Sequence, residues 1–361
     1  MSSTTEELNM QSALPTSVSF DEATNLIATC GTTNTFVFQG EPGIGKSAML
    51  KSVAKLTDLE PRYVDCALLD LGDLQMPKVT DSLEFVPNKL FTGDDSGKPI
   101  IVMLDEIGKA MRPVQNALLT LLLEKRVGSH YLPKGSVVFA TTNLATDGVG
   151  DKMEAHAKNR VSFLTMRKPN WEEWMNWGAA NGMQPEIMAW VKEYPHCLQS
   201  YTDYDSADKV ENPYIFNPRV QQSAFVSPRS LAHASHIIEK RNKLGDDVLM
   251  VALSGTVGTS AAADLQTFLN VADSTTPFKV CVEKPNDAPV PTDPIAIVIM
   301  ALGAVLRINN DNVNNWMTYL QRLPKETQFL FAQNGMRSNN DMVLARSSEF
   351  TKWAVANSWA L

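Results

Sequence analysis

The stretch GEPGIGKSAML, Gly40–Leu50, stands between the apolar run FVF and a segment with helical periodicity. It fits G-x-x-x-x-G-K-[ST], the pattern of a phosphate-binding loop. Glycines let backbone N–H groups turn inward around an anion, a lysine reaches the terminal phosphates, and a hydroxyl ligates Mg²⁺. Gly40, Glu41, Pro42, Gly43, Ile44, Gly45, Lys46 and Ser47 would form that cradle. The helix after Ser47 points the positive end of its dipole at the same anion. With glycine at about 7% of residues, a chance match in a chain of this length arises about once in a hundred. A glycine-rich turn with a solvated lysine is therefore the weaker reading.

The chain has 361 residues, 44% of them hydrophobic, enough for a sizeable core and two domains. Its net charge of −8 argues against broad attraction to nucleic acid or anionic lipid and moves the expected partner toward protein. Cys30, Cys66, Cys197 and Cys281 are scattered without a C-x-x-C pair, which predicts reduced thiols and a cytoplasmic setting. The opening MSSTTEELNMQSALP lacks the layout of a signal peptide. The run IAIVIMALGAVL, Ile295–Leu306, falls short of the ~20 residues of a membrane helix and reads as a buried helix instead.

Residues 1–18 read as a polar tail. Ser19 to Glu22 has capping-box spacing and opens a helix that ends before Gly31. Strand-like TFVFQ, RYVD, PIIVMLDE, SVVFATTN and SFLTM then alternate with helical segments, with a hairpin between Arg126 and Leu132. This alternation predicts an α/β core with a parallel sheet covered on both faces, over residues 19–170. FVPNKL, Phe85–Leu90, and the tip GDDSGK read as surface loop. From Trp171 the pattern is helical, giving a lid over residues 171–282. Pro285, Pro289, Pro291 and Pro294 make residues 283–294 an extended connector to a helical region at 295–361.

Ile101–Leu104 run directly into Asp105 and Glu106. In an open α/β sheet ligands sit at the carboxyl ends of the strands. Downstream of the loop, this pair becomes a Walker B candidate: Asp105 for the metal and Glu106 to polarise an attacking water. Asn143 ends SVVFATTN and would orient the same water if its strand lies between the loop strand and the Asp105 strand; alone, such an asparagine is a turn former. Arg160 precedes a strand and is balanced between a surface arginine and a finger reaching a neighbour's γ-phosphate. In SPRS, Ser227–Ser230, helix-start chemistry explains Ser227 and Pro228 and leaves Arg229 over. Trp171, Trp174 and Trp177 at helical spacing read as domain core, and His233 with His236 as packed or solvated histidines rather than a metal site.

In order, GEPGIGKS, VMLDE, ATTN, KNR and SPRS resemble the AAA+ ATPases of the P-loop NTPase superfamily, and within them the MoxR type. DEIGKAMRPVQNALLTLLLEKRVGSHYLP is especially similar to that family's Walker B segment and the hairpin before its sensor 1. The resemblance covers roughly residues 20 to 245 and departs from the family at Gly108, Leu144 and Val161. It implies a five-stranded AAA+ sheet with a helical lid and a C-terminal helical extension. It makes Lys46 and Ser47 ligands of ATP and Mg²⁺, Asp105 and Glu106 the Walker B pair, and Asn143 sensor 1. It makes Arg160 the trans finger, with Arg126 as rival, and Arg229 sensor 2. Leu68–Val79 resembles an insertion directed at a pore or partner.

The function so implied is ATP hydrolysis by a homo-oligomer, a hexameric ring, that remodels a protein partner carrying a von Willebrand A-type domain. A bacterial or phage origin fits the family. The alternatives are an ATP-gated assembly scaffold with negligible turnover and, less favoured by the acidic balance, a nucleic-acid motor. A nucleotide kinase has no use for Asn143, Arg160 and Arg229 in this order.

Overall fold

In the computed structural model, residues 17–79, 83–92, 97–144 and 160–358 are described. Of the tail expected over residues 1–18, residues 1–16 lie outside them, as does part of the GDDSGK tip, whereas Val18 is no tail: its N–H donates to the Thr165 carbonyl at 2.8 Å and it bridges Met166. The chain divides into two compact units, residues 1–168 and 169–361.

The first unit opens with α1 (Phe20–Cys30), whose N-cap Ser19 forms the expected capping box with Glu22. It continues through β1 (Phe36–Gln39), the loop at 40–47, α2 (Met49–Thr57), β2 (Glu60–Asp65), a single turn α3 (Leu71–Leu74), β3 (Gln75–Val79) and β4 (Leu83–Pro87). Then come β5 (Ile100–Asp105), α4 (Arg112–Glu124), the short β6 (Arg126–Val127) and β7 (His130–Tyr131), β8 (Val137–Thr142) and β9 (Ser162–Thr165). The main sheet has five strands in the order β2-β5-β8-β1-β9, every pair parallel.

Every residue of β5 and β8 is buried. Alternation sends Ile101 and Met103 toward a core with Ile27, Phe38, Met49 and Val53, while Val102 and Leu104 join Val114, Leu118 and Leu122 of α4 on the other face. That is why PIIVMLDE is apolar without a polar phase: a central parallel strand has two dry faces. Because β8 lies between β1 and β5, the carboxyl ends of all three strands meet at one edge.

The segment expected as a surface loop at Phe85–Leu90 instead supplies β4, which pairs antiparallel with β3 from Gln75↔Pro87 to Val79↔Leu83. Apart from Gln75 and Pro87 its residues are exposed. With no buried face there is no period-two alternation to read, and Pro77 and Pro87 argue against a strand in isolation.

Among the described residues the second unit has no strand, and its α-helices are α5 (Trp171–Ala180), α6 (Pro185–Glu193), α7 (Pro228–Glu239), α8 (Asp246–Val257), α9 (Thr259–Ser274), α10 (Phe278–Glu283), α11 (Pro294–Val305), α12 (Val313–Leu320), α13 (Lys325–Arg337), α14 (Asp341–Ala345) and α15 (Ser348–Ala356), with an irregular stretch between α6 and α7. It has two cores. One gathers Trp174, Trp190, Leu231, Leu253, Leu265 and Phe268, the other Trp316, Tyr319, Phe331, Leu344 and Trp353. The greasy run is α11, as expected a buried helix, and it belongs to both: Ile299 and Leu302 join the first core, Ile297, Met300, Ala301 and Ala304 the second. Asp293 caps it by accepting from the backbone N–H groups of Ile295 and Ala296 at 2.7 and 3.2 Å, and Pro294 sits in its first turn, where its missing N–H costs nothing. Among the described residues no helix is long and apolar enough to cross a membrane.

Candidate functional site

β1 ends at Gln39 and the chain turns through a loop whose conformation needs its glycines. Gly43 and Gly45 have φ of 78° and 108°, left-handed values that strain any L side chain. Gly40 is required for space: a Cβ there would lie 2.5 Å from Ile44 Cδ1 and 2.7 Å from the Met166 carbonyl oxygen. The loop is thus pressed against the end of β9 and curled by left-handed residues, the conformation from which anion-binding nests are made. Glu41 and Ile44 are buried.

Lys46 follows the loop and is only 7% exposed. Its Nζ donates to the carbonyls of Gly40 at 2.6 Å and Glu41 at 2.7 Å and to Asn143 Oδ1 at 3.0 Å. Acceptors of this kind satisfy the N–H donors of an ammonium, which is how a buried cation is tolerated. Asn143 is itself buried at the end of β8.

One residue on, Ser47 Oγ donates to Asp105 Oδ2 at 2.7 Å. Asp105 is 4% exposed and receives two more hydroxyls, Tyr63 on Oδ2 at 2.9 Å and Thr141 on Oδ1. A buried carboxylate without an ion-pair partner must be hydrogen-bonded, and these donors fill that need. The side-by-side hydroxyl and carboxylate of Ser47 and Asp105 are hard oxygen donors of the kind Mg²⁺ takes. Glu106 has φ of 54°, uncommon for a residue with a Cβ, and its Oε2 accepts from Lys109 Nζ at 2.7 Å.

Lys46–Asn143 and Ser47–Asp105 therefore form two hydrogen-bonded pairs carried by consecutive loop residues, with Glu106 next in the chain after Asp105. Arg160 is exposed and stands two residues before β9, whose first residue Ser162 pairs with Phe36 at the start of β1. That is the edge opposite the loop, so Arg160 cannot serve the loop of its own chain. Arg126, just after α4, donates to Glu124 Oε2 at 2.6 Å and to the Gly128 carbonyl at 2.5 Å. Arg229 lies exposed in the first turn of α7, in the second unit, beside the Ser227–Ser230 capping box.

Tyr63 and Thr141 escaped the sequence reading. Their link to Asp105 exists only through strand pairing: Tyr63 is opposite Met103, two residues back along β5, and Thr141 stands one step past the Leu104↔Ala140 pair. The readable signal was a fully buried threonine in an apolar strand, which demands a partner. Burial, then the Asp105 bond and charge, push the Tyr63 hydroxyl well above its ordinary value of 10.0, which keeps it a donor. Burial, reinforced by Asp105, Asp65 and Glu106, likewise raises the Cys66 thiol, leaving it protonated and unreactive.

A family model of the AAA domain (Cdc48 subfamily) matches residues 32–189. No curated protein matches the chain. Among solved structures, NtrX from Brucella abortus in complex with ADP is 13% identical, with 99% of this chain and 72% of that chain covered and a TM-score of 0.40. A RuvB mutant from Thermotoga maritima is 15% identical over 83% of this chain and 84% of that one, with a TM-score of 0.37. A putative ATPase from Cytophaga hutchinsonii is 14% identical over 89% and 81%, with a TM-score of 0.35. At these TM-scores the likeness says nothing of function. Residues 32–189, which hold the loop, the Asp105 strand and Asn143, are thus similar in sequence to an AAA domain, and they lie on the five-stranded parallel sheet.

Proposed function

We propose that the chain binds ATP with Mg²⁺ at residues 40–47 and hydrolyses it, as a ring-forming AAA ATPase of the MoxR type that remodels a protein partner. The observation that carries the reading is the pair of bonds Lys46–Asn143 and Ser47–Asp105, which unite the loop with two neighbouring strand ends. Lys46 would exchange the Gly40 and Glu41 carbonyls for phosphate oxygens, keeping its buried charge paired. Ser47 and Asp105 would hold Mg²⁺, which when bound supplies charge neutralisation at the phosphates. Glu106, freed from Lys109, would accept the proton of the attacking water, with Asn143 orienting that water. Arg160 would act on the site of an adjacent protomer and Arg229 would reach the nucleotide from the lid.

Two variants test this. Lys46→Ala should lose ATP binding, whereas Glu106→Gln should bind ATP and hydrolyse it at least about 100-fold more slowly, the usual weight of a general base. Equal ATPase in the parent and both variants would sink the assignment.

The Glu106–Lys109 ion pair favours a second reading, an ATP-gated scaffold whose carboxylate is held back from water. Lys109→Ala separates the two. A several-fold rise in basal turnover identifies the pair as a brake, and an unchanged rate removes the observation that favours the scaffold.

A further inference from the structure

The Tyr63 hydroxyl has no part in the reading above, yet it bonds to the same oxygen as Ser47. We propose that Tyr63 is a positioning residue that limits Asp105 to a single metal-bound water and so keeps the metal loosely held. The inference rests on the nucleotide reading and names a control on its metal.

An ionised carboxylate offers about four acceptor sites, two on each oxygen. On Asp105, Ser47 and Tyr63 occupy Oδ2 and Thr141 occupies one site on Oδ1. One site is left. A metal beside Ser47 would find room on Asp105 for one of its waters only, and the three O–H donors drain negative charge that would otherwise attract it.

The three donors differ in what their loss would do. Ser47 belongs to the loop and Thr141 is fully buried in a central strand, and between them they grip both carboxylate oxygens. Tyr63 is on the edge strand β2 and is 47% exposed. It reaches Asp105 diagonally across the β2–β5 pair on the face of Met103, away from the Val64 core. Without its hydroxyl the carboxylate keeps its direction and gains a free site on Oδ2. A looser metal suits a turnover cycle, because the product leaves with it.

The test uses the full chain saturated with ADP and Mn²⁺ in place of Mg²⁺, with free Mn²⁺ read by electron paramagnetic resonance. Tyr63→Phe should tighten Mn²⁺ by about 10-fold, the low end for one hydrogen bond to a charged group. ADP affinity in EDTA should stay unchanged. Tyr63→Ala, which also removes the ring, should tighten Mn²⁺ to the same degree. Equal or weaker Mn²⁺ binding in Tyr63→Phe overturns the proposal, as does tightening seen with Ala alone or a change in metal-free ADP affinity. If the parent itself shows no metal-dependent ADP binding, the nucleotide reading fails and this inference falls with it.

Discussion

Lys46 and Lys125 stand at opposite edges of one sheet, and each ammonium donates to three acceptors. Lys125 Nζ reaches the carbonyls of Thr32 at 2.6 Å, Ser136 at 2.9 Å and Gly31 at 3.4 Å. These carbonyls lead into β1 and β8, and Ser136 Oγ also accepts from the N–H of Ile100 at the start of β5. Lys125 closes α4 in a left-handed conformation, its N–H bonded to Leu121. It staples the amino ends of three strands. Lys46 does the same work of pairing a partly dehydrated charge, but on a loop curled by two left-handed glycines and next in the chain to Ser47, which bonds to Asp105. An ammonium on carbonyls is therefore no mark of a site by itself. What distinguishes Lys46 is that a phosphate could take over from its partners, whereas nothing at the amino edge could replace those of Lys125.

That contrast can be broken most directly by truncating each lysine. Lys46→Ala should weaken ATP binding by more than about 100-fold, since a buried charge-assisted contact to phosphate is lost, while its melting temperature moves little. Equilibrium binding of a fluorescent ATP analogue beside thermal melts would reveal the reverse pattern if the comparison is wrong. In turnover rather than in binding, Arg160→Ala is expected to bind ATP normally and lose hydrolysis by about 1,000-fold, the low end for an arginine finger. Because Arg160 stands at the sheet edge opposite its own loop, mixing Arg160→Ala with Glu106→Gln protomers should restore part of the turnover. No recovery on mixing, with recovery in an Arg126→Ala mixture, would transfer the finger to Arg126.

Lys125→Ala should cost about 2 kcal/mol of stability in urea unfolding, as three carbonyls lose a charged donor but remain within reach of water, with ATP affinity unchanged in titrations of the native protein. The smallest effect is its pH dependence. Burial holds the Lys125 ammonium below its ordinary 10.5, so near that value the unfolded chain binds the proton more tightly than the native one. The contribution of Lys125 to stability then rises with pH through the window just below 10.5. Urea curves at pH 7 and pH 10 should accordingly show a larger cost of Lys125→Ala at the higher pH; a smaller cost there would contradict the burial that separates the two lysines from solvent.

Much of the first unit was legible because its signals are local. The loop is contiguous, the Asp105 strand announces itself by continuous apolarity, and Ser19 with Glu22 marks a helix start three residues long. The position of β8 between β1 and β5, on which the reading of Asn143 was conditional, is supplied by the sheet itself. What was not legible depends on pairing across the chain. β4 becomes a strand only because β3 lies beside it, with no dry face to imprint a pattern. Tyr63 and Thr141 meet Asp105 through register, which one strand's sequence does not carry. The lysine staple was hidden for the same reason: Lys125 looked like the end of a helix, and its three partners lie up to 94 residues away. In the second unit, Trp174 is core as the spacing suggested, but Trp177 at the same spacing is 43% exposed, because a three-residue interval drifts around a helix of 3.6 residues per turn.

α11 has a consequence for anyone dividing this chain. Its residues are wedged between two bodies of side chains, so severing the polypeptide in the proline stretch would not free an appendage. The shortened fragment would bear an open greasy scar where Ile299 and Leu302 had been seated, and would clump in solution instead of standing alone.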